Sequence, residues 1–230
     1  GGDYSGFSVP GADVRLVTHS ATKTGPGPTR NRAVEAARGA FIGYLDADDS
    51  WSPGYLSALY PVAKVEGCAF AQTVIEDESG EAILRAPSSN AKRLMLSDFA
   101  VWGASFHPLH AAGLPRGLAR GPFWNAPAQD VMHAVEVFMA CGLTAALETS
   151  VAYRLRLRGD SVTAAPDFSA RLSQAYAAYD EALAETWAQT LFAQKSKLND
   201  RFVLEAEEGE SFYGFVARNH AQSSARIQSS

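Results

Sequence analysis

Asp46-Ala47-Asp48-Asp49 places three carboxylates within four positions, directly after the apolar run Ala40-Phe41-Ile42-Gly43-Tyr44-Leu45. Like charges this close repel one another unless a cation or a donor-rich ligand neutralises them. Hard divalent cations such as Mg²⁺ and Mn²⁺ prefer carboxylate oxygens and commonly bridge them to phosphates. The plainer alternative is a solvated acidic turn in which Asp49 or Ser50 caps a short helix. A calcium loop is excluded. Counted from Asp46, its sixth position requires Gly and its twelfth a bidentate Glu, and Trp51 and Ser57 stand there. A further acid, Asp130, opens a helical pattern, where the helix dipole favours negative charge and keeps the carboxylate ionised. It could act as a general base or serve only as an N-terminal helix acid.

Positioning these groups requires particular elements. Val14 to Thr18 reads as a strand, the Gly25-Pro26-Gly27-Pro28 cluster as a breaker, and Thr29 as a helix N-cap. A helix is predicted over Arg30 to Arg38, closed by Gly39. Ala40 to Leu45 then has the continuous apolar character of a strand covered on both faces. Strand, helix, strand is a βαβ unit, so the fold class is α/β with a mostly parallel sheet flanked by helices. An acidic cluster at the carboxyl end of such a strand lies where open α/β sheets bind ligands. Downstream, Pro53 opens a short helix, Cys68 to Ile75 is a strand, and Glu76 to Gly80 is a charged turn into Glu81 to Leu84. Residues 86 to 98 read as loop, Val101 to Phe106 as a short strand and His107 to Asn125 as irregular. Ala128 to Cys141 is a helix by its apolar period, Thr144 to Arg156 a last strand, and the chain is helical from Phe168 onward.

The 230 residues are 47% hydrophobic and 20% charged, which suits a globular chain with a sizeable core and excludes whole-chain disorder or coiled coil. A net charge of −5 argues against nucleic-acid binding through a global positive field. The longest apolar run falls far short of the roughly 18 residues of a spanning helix. Cys68 and Cys141 lack metal-ligand spacing and read as free thiols, which points to the cytoplasm, either free in it or at the inner face of a membrane.

The segment from Thr29 to Trp51 resembles the central part of family 2 glycosyltransferases. There an Arg-Asn helix, an Ala-x-Gly stop and an Asp-x-Asp-Asp strand end follow in this order, as Arg30-Asn31, Ala37-Arg38-Gly39 and Asp46 to Asp49 do here. Gln129-Asp130 looks like the family's acidic pair. Tyr153 to Arg156, followed by Gly159-Asp160-Ser161-Val162-Thr163, looks like its closing strand and loop. The resemblance implies a GT-A fold and inverting transfer of a sugar from a nucleotide-diphosphate sugar to a saccharide or other hydroxyl acceptor, with Mn²⁺ or Mg²⁺. It matches Asp46 with a donor ribose or metal-shell contact, Asp48 with the metal ligand and Asp49 with an orienting group. Arg30 and Asn31 match the donor-facing helix start, and Asp130 the catalytic base. The 45 residues before Asp46 hold one βαβ unit where the family has more, so the donor-binding part is expected to be incomplete at its N-terminal side. The corresponding division is a GT-A-like domain over 1–165 and a helical extension over 166–230.

Other residues carry weaker expectations. His107 and His110 flank Pro108 as acceptor contacts, metal ligands or plain exposed loop histidines, and Trp51 is a further acceptor candidate. Arg154, Arg156 and Arg158 share one strand face, which could meet a diphosphate or only solvent. His133, Tyr176, Tyr179 and Trp187 read as packing residues rather than as a sugar platform. Two other classes stay open: a non-catalytic GT-A-like module of a polysaccharide-assembly protein, and an α/β phosphatase using Asp46 as nucleophile.

Overall fold

The computed structural model describes residues 6, 8–17, 25–87, 91–101, 107–114, 123–158, 165, 167–183 and 186–219. The Gly159 to Thr163 loop and most of Val101 to Phe106 lie outside them, as does Thr18. Val14 to Val17 forms no ladder with any described strand, contrary to expectation, because strand character persists only where a neighbour takes the backbone bonds.

The first helix, α1 (Pro26–Ala36), starts earlier than expected, at Pro26 rather than Arg30. Gly25 enters it with φ 80°, and proline's fixed φ and missing N–H suit the first helical position. Thr29, expected as the cap, donates its hydroxyl back to the Gly25 carbonyl at 2.8 Å. Next come β1 (Phe41–Ile42), β2 (Ser50–Trp51), α2 (Tyr55–Glu66), β3 (Cys68–Glu76), β4 (Ala82–Ala86), β5 (Arg93–Leu94) and α3 (Leu96–Val101). They are followed by β6 (Leu109–Ala111), α4 (Gln129–Ala140), β7 (Ala145–Arg156), α5 (Phe168–Ala182), α6 (Thr186–Glu205) and a helix over 212–219, α7. The segment read as loop over 86–98 thus contains β5 and the start of α3, and β6 falls in the stretch read as irregular.

The sheet runs β1-β6-β3-β7-β2, with β4 on β3 and β5 on β7. The α/β class stands, but the mostly parallel sheet does not. Only β3–β7 is parallel among the described pairings, and the other five are antiparallel. Connection length explains the split: the tight turn Asp77 to Glu81 can only fold β4 back on β3, whereas a long crossover containing α4 carries the chain to a parallel β7. β1 is the outermost strand of this path and is shorter than the apolar run suggested. Leu45 beyond it is 47% exposed, so the run is not covered on both faces.

β3 is buried on both faces and separates two cores. Cys68 and Phe70 point to a large core shared with α4, α5, α6 and α7, through Phe138, Tyr179, Phe192 and Phe215. Ala69 and Ala71 point to a smaller one under α2, with Tyr55, Leu59, Val151 and Tyr153. A break in the β3–β7 register places Tyr153 in that smaller core. Ala71 pairs with Glu148 but Gln72 pairs with Ala152, so β7 carries 152 − 148 − 1 = 3 extra residues. An odd insertion reverses the alternation of faces. Ala145 and Leu147 therefore face the large core, while Val151 and Tyr153 face the small one.

Candidate active site

The acidic residues sit on a tight turn between β1 and β2, closed by the Asp49 N–H donating to the Asp46 carbonyl at 3.1 Å. Tyr153 braces it: the hydroxyl donates to Asp49 Oδ2 at 2.6 Å and accepts the Asp46 N–H at 3.2 Å. Asp49 also accepts the Arg156 N–H at 3.0 Å. Burial nevertheless pushes its carboxyl up to about 6, because removal from water outweighs both bonds. Asp46 takes two 2.5 Å bonds from Arg30 Nη2. Arg30 is only 12% exposed and lies 5.5 Å over the Phe123 ring. Burial works against its charge, yet Asp46 and Asp130 raise its pKa further. Asp48 is 38% exposed and faces Arg158 Nη2 at 3.2 Å. The three carboxylates thus have separate settings: Asp46 is clamped, Asp49 is half-buried and hydrogen-bonded, and Asp48 is presented outward.

Asn31, next to Arg30, turns to a different element. Its Nδ2 donates to the Phe123 carbonyl and its Oδ1 accepts the Phe123 N–H, both at 2.8 Å. One turn earlier, a Cβ on Gly27 would lie 2.0 Å from the Trp124 carbonyl oxygen, so only glycine allows α1 this close to the 123–128 segment. That segment ends at Ala128, in the left-handed region with φ 53°, and delivers Asp130 to the first turn of α4. A single helix therefore holds the acidic turn through Arg30 and the segment leading to Asp130 through Asn31 and Gly27.

Between them opens a cavity of about 280 Å³. Arg30, Asp46, Gln129 and Asp130 line it, together with Phe168, Leu172, Tyr176, Phe212 and Tyr213 of α5 and α7. Burial lowers the pKa of His107, which the charge of Asp130 opposes. Lys195 of α6, 1% exposed and with no hydrogen-bond partner for its ammonium among the described residues, is pushed down to about 8 by burial, again against Asp130.

The remaining candidates are distributed unevenly. His107 and His110 are buried, which corrects the reading of exposed loop histidines: His107 stacks on Tyr153 at 4.1 Å, and His110 Nε2 lies 3.0 Å from the Tyr44 hydroxyl. His133 is buried against Phe123, with ring centroids 4.2 Å apart. Trp51 stacks on Tyr55 at 4.9 Å beside the turn. Arg154 pairs with Glu76, and Arg156 donates to the Glu78 carbonyl at 2.8 Å, so only Arg158 of the three reaches an acid of the turn through its side chain. Three residues not singled out as candidates from the sequence belong to these surroundings: Tyr153 braces the acidic turn, Tyr213 lines the cavity, and buried Lys195 feels the charge of Asp130. Tyr176, read as core, is buried as expected and also lines the cavity.

The glycosyl transferase family 2 model matches residues 9–120, which include α1, the acidic turn and β3. This stretch is a family 2 glycosyltransferase domain. The phosphatase reading is thereby set aside. The succinoglycan biosynthesis protein ExoO of Rhizobium meliloti (strain 1021) is 26% identical over 225 residues, covering 91% of this chain and 63% of that protein. The crystal structure of S. aureus TarS 1–349 in complex with UDP-GlcNAc superposes with a TM-score of 0.60 at 14% identity, covering 84% of this chain and 60% of that one. TarS 1–349 without that ligand gives 0.53 at 15% identity, over 80% and 55%. The family 2 domain thus sits in a GT-A fold, in a chain that spans about 60% of these relatives' lengths. Asp130 and the helices α5 to α7 lie beyond the matched stretch. No helix among the described residues is long and apolar enough to cross a membrane.

Proposed function

We propose that this protein transfers a sugar, with inversion, from a nucleotide-diphosphate sugar to a hydroxyl-bearing acceptor in polysaccharide assembly. The observation that carries the reading is the placement of Asp130 in one cavity with the Arg30–Asp46 pair. An inverting displacement requires a carboxylate on the acceptor side to take the hydroxyl proton as the new bond forms. Asp130 holds that role here, in the first turn of α4, where the helix dipole favours negative charge. Arg30 fixes Asp46 for donor contact, Tyr153 holds the turn's shape, and Asp48 faces outward toward the donor's diphosphate. UDP-GlcNAc in the TarS complex and the succinoglycan role in the relative's name support the donor class and the setting.

Among the described residues, no group of three or more His, Cys, Asp or Glu side chains converges as a metal cage. One exposed carboxylate does fit Mg²⁺ or Mn²⁺, which commonly take one or two protein carboxylates and fill the other positions with phosphate oxygens and water. Asp48 would hold that cation, and the bound cation would neutralise charge on the departing diphosphate. Asp49 is half-buried, and its oxygens already accept the Tyr153 hydroxyl and the Arg156 N–H, which leaves it less open to a cation.

Calorimetric titration of UDP, GDP and dTDP, with and without Mn²⁺, tests the donor assignment. At least one nucleotide should bind more tightly with Mn²⁺, and Asp48→Ala should lose that increment. Binding by none, with or without metal, would refute the assignment and favour a non-catalytic module.

A further inference from the structure

Cys68 and Cys141 are far apart in the chain, yet the topology returns them to one end of the sheet. Cys68 opens β3, and Cys141 stands where α4 turns toward β7. β3 and β7 run parallel, with Ala69 opposite Ala146, so the two strands start together and the end of α4 arrives beside Cys68. A Cβ on Gly67 would lie 3.8 Å from Cys141 Sγ, which sets that sulfur against the backbone just before Cys68. The two thiols meet in a hydrogen bond. Both are free, Cys68 fully buried in the large core and Cys141 half-buried at its rim. A structural zinc requires four ligands, and no group of three or more His, Cys, Asp or Glu converges among the described residues. Neither thiol lines the cavity, and Asp130 stands at the opposite end of α4.

We propose that Cys68 and Cys141 form a modification site, a thiol pair that a peroxide converts into a reversible intramolecular disulfide tying the end of α4 to the start of β3. The Cys68 S–H donates to Cys141, which lowers the Cys141 pKa against partial burial and the Glu66 carboxylate. The same bond, together with burial, pushes the Cys68 thiol up. Cys141 is therefore both the readier thiolate and the more accessible sulfur, and the thiolate is the form that attacks. Its sulfur bonds to one peroxide oxygen, the O–O bond breaks, hydroxide leaves, and Cys141 becomes a sulfenic acid. The Cys68 sulfur then bonds to the Cys141 sulfur, the S–O bond breaks, and the departing hydroxide takes the Cys68 proton as water. The pair is oxidised by two electrons, and the peroxide is reduced to two waters.

Hydrogen peroxide added to the reduced full chain, followed by alkylation in denaturant and mass spectrometry of the unreduced digest, tests the pair. The monomer should lose both thiols together, a peptide joining Cys68 to Cys141 should appear, and dithiothreitol should return both thiols. Cys68→Ala should stop at the Cys141 sulfenic acid, trapped by dimedone. In Cys141→Ser the buried Cys68 should react at least ~10-fold more slowly than Cys141 does in the wild type. Cys141→Ser changes a half-buried side chain at a helix end, so the test stands even if Cys68→Ala does not fold. The crosslinked chain should unfold at a higher urea concentration than the reduced chain, because the bridge constrains the unfolded state. Sulfinic acid on Cys141 with Cys68 still free, a bridge formed only between chains, or a urea midpoint no higher after crosslinking would overturn the proposal.

Discussion

Asn31 offers the sharpest division between a ligand contact and a scaffold role. The family resemblance points it at the donor, whereas its amide is occupied by both backbone groups of Phe123. Asn31→Ala removes two hydrogen bonds of about 1 kcal/mol each and leaves a half-buried N–H and C=O to be hydrated through a loosened segment. The expected loss is about 2–3 kcal/mol. At roughly 2–4 °C per kcal/mol for a chain of this size, the melting temperature should fall by about 4–12 °C. Asn31→Asp is the finer probe. It can still accept the Phe123 N–H, but it sets a carboxylate oxygen against the Phe123 carbonyl, so it should destabilise by a similar amount despite its shape. Phe123 leads into the segment that carries Asp130, so turnover should fall in both variants. Nucleotide binding at the Asp46–Asp48 turn should change little. Calorimetric melting plus nucleotide titration decides the matter: unchanged stability with lost nucleotide binding would refute the clamp and return Asn31 to the donor site.

Further expectations follow from the same geometry. Gly27→Ala must move α1 off the Trp124 carbonyl, so it should lower urea stability and turnover together; wild-type behaviour would contradict the close approach. Asp49 has a folded value of about 6, above its ordinary 3.8, so its contribution to stability is full below the lower value and is lost as pH rises through the higher one. Urea midpoints for the wild type against Asp49→Asn should therefore diverge between pH 4 and pH 7, with the wild type falling more steeply; parallel curves would contradict this. Lys195, lowered to about 8, should gain stability as pH rises from about 8 toward 10.5, so Lys195→Met should raise the melting temperature most at neutral pH. The same variant removes a positive charge acting with Asp130 and should shift the acidic limb of the activity profile upward; an unmoved limb would detach Lys195 from Asp130.

The candidate residues were more legible in the sequence than the frame that holds them. Asp46, Asp48 and Asp49 are adjacent in the chain, and Asp130 is marked by the helix it opens, so a local pattern finds them. Arg30 was legible as a candidate for the same reason, and it pairs with Asp46. Tyr153 was hidden because its direction depends on the three extra residues in β7, a pairing property that alternation along one strand cannot reveal. The strand directions were misread because an apolar run shows burial but not which neighbour it pairs with. His107 and His110 looked exposed among Gly and Pro, and only the packing of Tyr153 and Tyr44 against them buries their rings. Tyr176 has the periodicity of a core residue and is one; its second role needs α7 beside it.

Turnover of Asp130→Asn tests the central claim most directly. Nucleotide release from the donor that binds in calorimetry, followed in the presence of a saccharide acceptor, should fall by ~10² to 10⁴ when the base is removed. Donor affinity should stay at the wild-type value, because the amide keeps the carboxylate's shape and Asp130 belongs to the acceptor side. Near-wild-type release by Asp130→Asn, or a loss confined to donor affinity, would contradict the account.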